Sequence, residues 1–239
     1  MPRGSRSKKS IAYEALKKRI ITHSLKPGEP INEVLLAKEL KASTTPLREA
    51  LQQLQKEGFI ENFPGRGSFV SRISSQDVRE LFEMREILEC EVIKRVVSQG
   101  LVREPRALAI RKEFESSEGK GRPASRSYFT PGDQIHLFVF ECFGNNRLLA
   151  YYRSLHEHIE RMRLYFFSNF HEERAEPSFK EHLEIIDALL ARDPDRAELA
   201  VRTHLRNAMD YLKRIAYGEP HELAMTQVIT KISSYPKSV

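Results

Sequence analysis

The hydrophobic period of this chain changes once, and that change limits the folds open to it. Phe59-Ile60-Glu61-Asn62-Phe63 and Ser68-Phe69-Val70-Ser71 break the helical period and read as two short strands around the glycine-containing turn Pro64-Gly65-Arg66-Gly67. Elsewhere apolar residues recur at helical spacing, and from Ser74 onward strand signals are nearly absent. The implied fold class is mainly α: an N-terminal unit of three helices and a hairpin, followed by an all-α antiparallel helical bundle. No run of about 18 apolar residues exists, which excludes a spanning helix. The basic N-terminus is followed by no apolar stretch, so a signal peptide is not expected. With two cysteines, Cys90 and Cys142, neither a disulfide framework nor a four-cysteine zinc site is possible, and a reduced, cytoplasmic location is expected.

Charge separates the same two parts. Residues 1–72 hold 14 basic and 7 acidic side chains, and the remainder holds 25 and 26. The whole positive excess therefore lies in the unit with the hairpin, as a polyanion-binding module requires. Its first helix places Ile11, Ala15, Leu16 and Ile20 on one face and ends at Lys26-Pro27-Gly28. Asn32 caps a short second helix carrying Leu35, Leu36 and Leu40. A third begins near Ser43–Pro46, turns Leu47, Ala50, Leu51 and Leu54 inward, and stops at Gly58. Its other face presents Thr45, Arg48, Gln52 and Gln55. Three helices and a hairpin make a winged helix-turn-helix, whose third helix suits a major groove. Arg66 and Gly67 in the wing can approach the sugar-phosphate backbone. The competing role for Arg48 is a surface ion pair with Glu49 or Glu33.

These residues carry a specific resemblance. Lys26-Pro27-Gly28 with Ile31 and Glu33, then Leu36-Ala37-Lys38-Glu39-Leu40, then Ser43-Thr44-Thr45-Pro46-Leu47-Arg48-Glu49-Ala50-Leu51 resemble the DNA-binding domain of GntR-family bacterial regulators. The resemblance implies DNA contacts from Thr44, Thr45, Arg48, Gln52, Arg66 and Gly67. Thr44 stands where the family usually has arginine, so the operator sequence cannot be copied from relatives.

In the bundle, helical intervals run over 77–99, more weakly over 104–117, then over 133–143 and from Leu148 to about Phe167. Pro177 is expected to open the next helix, and Asp193-Pro194 to cap the last, which reaches about Tyr217. The expected division is a basic flexible arm over 1–10, the winged unit over 11–73, the bundle over 74–218 and an unassigned tail over 219–239. His136, His182 and His204 fall on the apolar faces of three separate helices. One buried histidine is ordinarily a satisfied core residue, but three converging in a bundle are more economically explained by a shared divalent ion, zinc or nickel.

This part resembles the FCD ligand-binding domain of the FadR subfamily of GntR regulators. The matching pieces include Leu81-Phe82-Glu83-Met84-Arg85, Asp133 with His136, Gly144-Asn145-Asn146, Glu181-His182 and His204-Leu205. The resemblance implies a metal held by Asp133, His136, His182 and His204. The family sets its aspartate four residues before the first histidine, where Gly132 stands here; Asp133, three before, shares the helix face. Arg85 and Arg163 are the expected anchors of a small carboxylate effector, with a bridge to Glu89 as the competing role for Arg85. The whole implies a homodimeric, ligand-responsive transcription repressor on a pseudo-palindromic duplex operator, with no membrane partner and no catalysis. The competing class is a three-histidine, metal-dependent enzyme acting on a small acid.

Overall fold

The computed structural model describes residues 7–116, 131–166 and 172–217. In chain order these form α1 (Lys8–Ile21), α2 (Glu33–Glu39), α3 (Thr44–Lys56), β1 (Ile60–Phe63), β2 (Gly67–Val70), α4 (Ser75–Ser98), α5 (Glu104–Glu115), α6 (Pro131–Phe143), α7 (Asn146–Phe166), α8 (Glu172–Leu190) and α9 (Pro194–Tyr217). The element types follow the expected order. The expected tail at 219–239 lies outside the described residues.

Local chemistry sets the boundaries. The Ser7 side chain accepts a hydrogen bond from the Ser10 N–H, so α1 starts at Lys8. Lys8 and Lys9 are thus helical, which shortens the expected arm at its C-terminal end. Asn32 caps α2 through the Leu35 N–H. Past α3, Gly58 adopts φ +81°, a left-handed conformation that costs glycine little. The antiparallel hairpin pairs Ile60 with Val70 and Phe63 with Gly67. A reciprocal Ser74–Asp77 capping box starts α4, and Asp193 Oδ1 accepts from the Arg196 N–H to start α9.

Pro177 departs from expectation. It lies inside α8 rather than opening it, although proline removes a helix hydrogen bond. The turn before it is held from outside the backbone, because Arg174 clasps the Glu181 carboxylate with both terminal nitrogens, one at 2.9 Å.

Two hydrophobic cores result. Leu16, Ile20, Leu47, Leu54 and Phe59 fill the first, beneath α1, α3 and the hairpin. Phe82, Ile93, Phe140, Tyr152, Ile159 and Ile185 are among those filling the second, within the bundle, where α4 and α9 make the most extensive pairing. Residues Ser71–Ser74 connect β2 to α4. No helix among the described residues is long and apolar enough to cross a membrane.

Candidate DNA interface and histidine centre

Helix α3 buries Leu47, Ala50, Leu51 and Leu54 and leaves Thr44, Thr45, Arg48, Gln52 and Gln55 exposed. At 100° per residue these exposed positions fall within roughly a 100° arc, so one stripe faces outward. Arg66 and Gly67 are exposed at the hairpin tip, where Gly67 takes φ +90°. Arg48 Nε lies 2.7 Å from Glu33 Oε2. The surface ion pair is thus formed, and an exposed pair of this kind is weak.

The three histidines meet inside the bundle. His136 from α6, His182 from α8 and His204 from α9 are all buried, each with a ring nitrogen within 4.8 Å of the others'. Every Nδ1 is anchored away from this centre. His136 Nδ1 lies 2.7 Å from Glu89 Oε2, His204 Nδ1 lies 2.9 Å from Glu181 Oε2, and His182 Nδ1 lies 2.6 Å from the Ser178 carbonyl. A carbonyl or ionised carboxylate only accepts, so Nδ1 of His182 and of His204 carries the proton, and in a neutral ring Nε2 then presents its lone pair inward. Burial, with neighbouring imidazoles as a smaller cause, holds His182 well below the usual histidine range. Burial also brings His204 down to about 4, against the opposing pull of Glu181.

The three rings bring their nitrogens together at one point. His136 Nε2 and His182 Nε2 stand 3.3 Å apart. Two ligands on a tetrahedral ion with metal–nitrogen bonds of about 2.0–2.1 Å stand roughly 3.4 Å apart. The donor set therefore fits a divalent ion, and the carboxylates behind His136 and His204 are the outer-shell partners such ligands take. Gly132 is part of the fit, because a Cβ there would sit 2.6 Å from His182 Nε2.

Asp133 is not with the three histidines, which corrects the expected ligand set. Its carboxylate accepts from Arg163 Nη1 at 2.7 Å and Nη2 at 3.0 Å, and lies 3.0 Å from His156 Nε2. A bidentate guanidinium is a stronger claim on that carboxylate than the face it shares with His136. Burial would raise Asp133, but Arg163 and His156 hold it well below the carboxylate range. Arg163 also reaches Glu160, at 2.8 Å. Arg85 makes the bridge to Glu89 that the spacing allowed. Glu89 also accepts from Tyr152 Oη at 2.7 Å and faces His136. Burial opposes its charge, yet Arg85 and His136 keep it ionised. The expected arginine anchors are both present, each already carrying a protein carboxylate.

Sequence reasoning missed Glu181, Tyr152, His156, Glu160 and Arg174. Glu181 meets His204, Tyr152 meets Glu89 and His156 meets Asp133 across helices distant in sequence, where no linear spacing encodes the contact, whereas Glu160 with Arg163 and Arg174 with Glu181 are pairs along one helix. It also missed the joint between the two cores. His158 Nε2 donates to the Glu57 carbonyl at 2.8 Å, and its ring stacks on Phe59 at 4.1 Å. Arg161 Nη1 donates to Ser71 Oγ at 2.7 Å and Nη2 to the Ser71 carbonyl, while the Arg161 carbonyl accepts from His23 Nε2 at 2.9 Å. Lys17 bridges Glu57 and Glu157.

Residues 8–70 match the family described as bacterial regulatory proteins, gntR family, and residues 80–207 match the FCD domain. The chain is a GntR-family protein with an FCD domain. This GntR protein is 29% identical over 219 residues to the Nta operon transcriptional regulator of Aminobacter aminovorans, covering 91% of this chain and 98% of that one. It is 26% identical to the transcriptional repressor RspR of Escherichia coli, covering 85% and 88%. In fold it is similar to E. coli McbR/YncC, with a TM-score of 0.70 at 17% identity, covering 88% of this chain and 99% of that one. A GntR regulator from Rhodococcus sp. RHA1 gives 0.65 at 22% identity, covering 87% and 98%. The GntR protein is thus a DNA-binding transcriptional regulator, and its N-terminal unit is the DNA-binding one.

Proposed function

We propose that this GntR regulator is a cytoplasmic, homodimeric repressor. Its grip on a pseudo-palindromic operator is set by a small organic acid bound beside a divalent ion, zinc or nickel, in the FCD bundle. The observation that carries the reading is the convergence of three buried histidine rings, each with an acceptor close to its Nδ1. His136, His182 and His204 would hold the ion. When bound, it supplies a positive charge with an open position for a ligand carboxylate. Arg163, partly exposed beside the Asp133 carboxylate, takes the second end of the acid in exchange for Asp133. Arg85 stays with Glu89 and keeps that carboxylate ionised behind His136.

On the DNA side, Thr44, Thr45, Arg48 and Gln52 enter a major groove, and Arg66 with Gly67 meets the neighbouring backbone. One winged unit reads a few base pairs, and two related by a two-fold axis read a pseudo-palindrome. That one relative carries the name repressor supports the sign chosen here.

Two measurements test this. Elemental analysis after zinc supplementation should find zinc in the wild type and none in a His182→Ala/His204→Ala variant; a wild type that takes up no metal rejects the ion. Fluorescence anisotropy on promoter fragments, with a panel of organic acids, should find one that changes DNA affinity; no effect from any acid, with metal present, rejects the effector.

A further inference from the structure

Among the described residues, helix α7 touches both the buried charge cluster of the bundle and the DNA-binding unit through polar contacts. Tyr152, His156, Glu160 and Arg163 recur at intervals of four, four and three, so they share one helix face. That face reaches Glu89 through Tyr152, and Asp133 through His156 and Arg163. Glu157, His158, Arg161, Leu164 and Tyr165 lie on roughly the opposite face, about 145° away at 100° per residue. Glu157 meets Lys17, His158 meets Glu57 and Phe59, and Arg161 meets Ser71. Leu164 packs on the N-terminal core, and Tyr165 stands edge-on to His23 at 5.6 Å.

The two faces overlap along the helix axis. Arg161 and Arg163 are about 3 Å apart along it. A rotation or slide of α7 that follows Arg163 must therefore displace Arg161, since both ride on one hydrogen-bonded backbone. Arg161 is 3% exposed, and its fork holds the residue that directly follows β2. A cleft of about 740 Å³ beside this joint, lined by Arg72, Asp77, Tyr151 and His158 among others, leaves room for the movement.

We propose that α7 carries a change at the Arg163–Asp133 pair to the DNA-binding unit, and that Arg161 is the positioning residue at the output end, acting through Ser71. This rests on the reading of Arg163 as the anchor of an effector carboxylate, which takes the guanidinium from Asp133. The coupling itself is a property of the two faces, and a substitution at the pair exercises it without any ligand.

The test is amide hydrogen exchange of the full chain, comparing wild type with Arg163→Gln and Asp133→Asn, which open the same pair from opposite sides. A coupling of ordinary size speeds exchange in residues 57–72 and 16–24 by roughly 5-fold or more. Exchange in α2, which none of these bonds touch, stays at its wild-type rate. In an Arg161→Lys background, where one ammonium replaces the fork, the Arg163→Gln effect on residues 57–72 shrinks. Unchanged exchange at both segments in a folded variant overturns the proposal. So does a rise that spreads evenly over α2, because that reports general loosening. An undiminished effect in Arg161→Lys overturns the role of Arg161. Metal and acid binding are measured separately on the wild type, so the failure of that reading is recognised independently of this one.

Discussion

Glu181→Gln isolates what the carboxylate behind His204 contributes. Glu181 lies 2.9 Å from His204 Nδ1 and receives Asn207 at 2.8 Å as well as the Arg174 fork. Burial would raise it, but His204, Arg174 and Asn207 bring it down to about 2, so it is ionised at neutral pH. Glutamine keeps the shape and one acceptor oxygen while removing the charge that fixes the tautomer and strengthens Nε2 as a donor. Losing such an outer-shell partner lowers metal affinity by about 10–100-fold, or roughly 1.4–2.7 kcal/mol. Competition against a chromogenic zinc chelator at neutral pH reads this directly, with circular dichroism as the check on folding. Zinc affinity indistinguishable from wild type in a folded Glu181→Gln would show that His204 is oriented by something else, and would refute the argument from anchored Nδ1 atoms.

Gly132→Ala places a methyl group 2.6 Å from where His182 Nε2 now sits, so the same titration should show a larger loss than Glu181→Gln; an intact affinity means that His182 is not a ligand. Tyr152→Phe removes one of the donors to Glu89 and should cost roughly 1.5–3 kcal/mol in urea unfolding; a neutral result would mean that Arg85 and His136 already satisfy the carboxylate. Arg48→Ala should weaken operator binding roughly 5- to 150-fold in anisotropy titrations while leaving the melting temperature in place; equal affinity removes Arg48 from the interface. The joint between the cores should loosen in acid. Burial lowers both His23 and His158 from 6.5; the Arg161 carbonyl opposes this at His23 and Glu57 opposes it at His158, while the Arg161 charge lowers both and Lys17 also lowers His158. The docked state binds fewer protons, so docking is strongest above about pH 6.5 and is lost as pH falls through that value. Protection of residues 57–72 against hydrogen exchange, taken relative to the intrinsic rate at each pH, should fall between about pH 7.5 and 5.5, and unchanged protection would sink the argument.

Most of the architecture was legible because it is written in local spacing. The hairpin follows from the break in helical period around Gly65 and Gly67, and the three histidines from their alignment with apolar neighbours on their own helices. Pro177 misled because proline reports a local preference, while the Arg174–Glu181 clasp that overrides it spans a helical turn on either side. Asp133 misled for a related reason. Its spacing from His136 is a one-helix argument, and Arg163 on another helix outbids that geometry with two hydrogen bonds. Glu89 and Glu181 reach their histidines from other helices, at sequence separations no period encodes. The two-faced character of α7 is visible in its spacing only once its neighbours are known.

The connection between the two cores is short. Four extended residues cover at most about 13–14 Å, and of Ser71–Ser74 the first is clasped by Arg161 and the last belongs to the α4 capping box. Such a tether forbids wide searching by the recognition helix. In a two-fold assembly the separation of the two reading heads is then dictated by protein geometry, like the jaws of a caliper. An operator with one base pair inserted between its halves, which turns the far half by roughly 35°, would be rejected far more sharply than one altered outside the contacted bases.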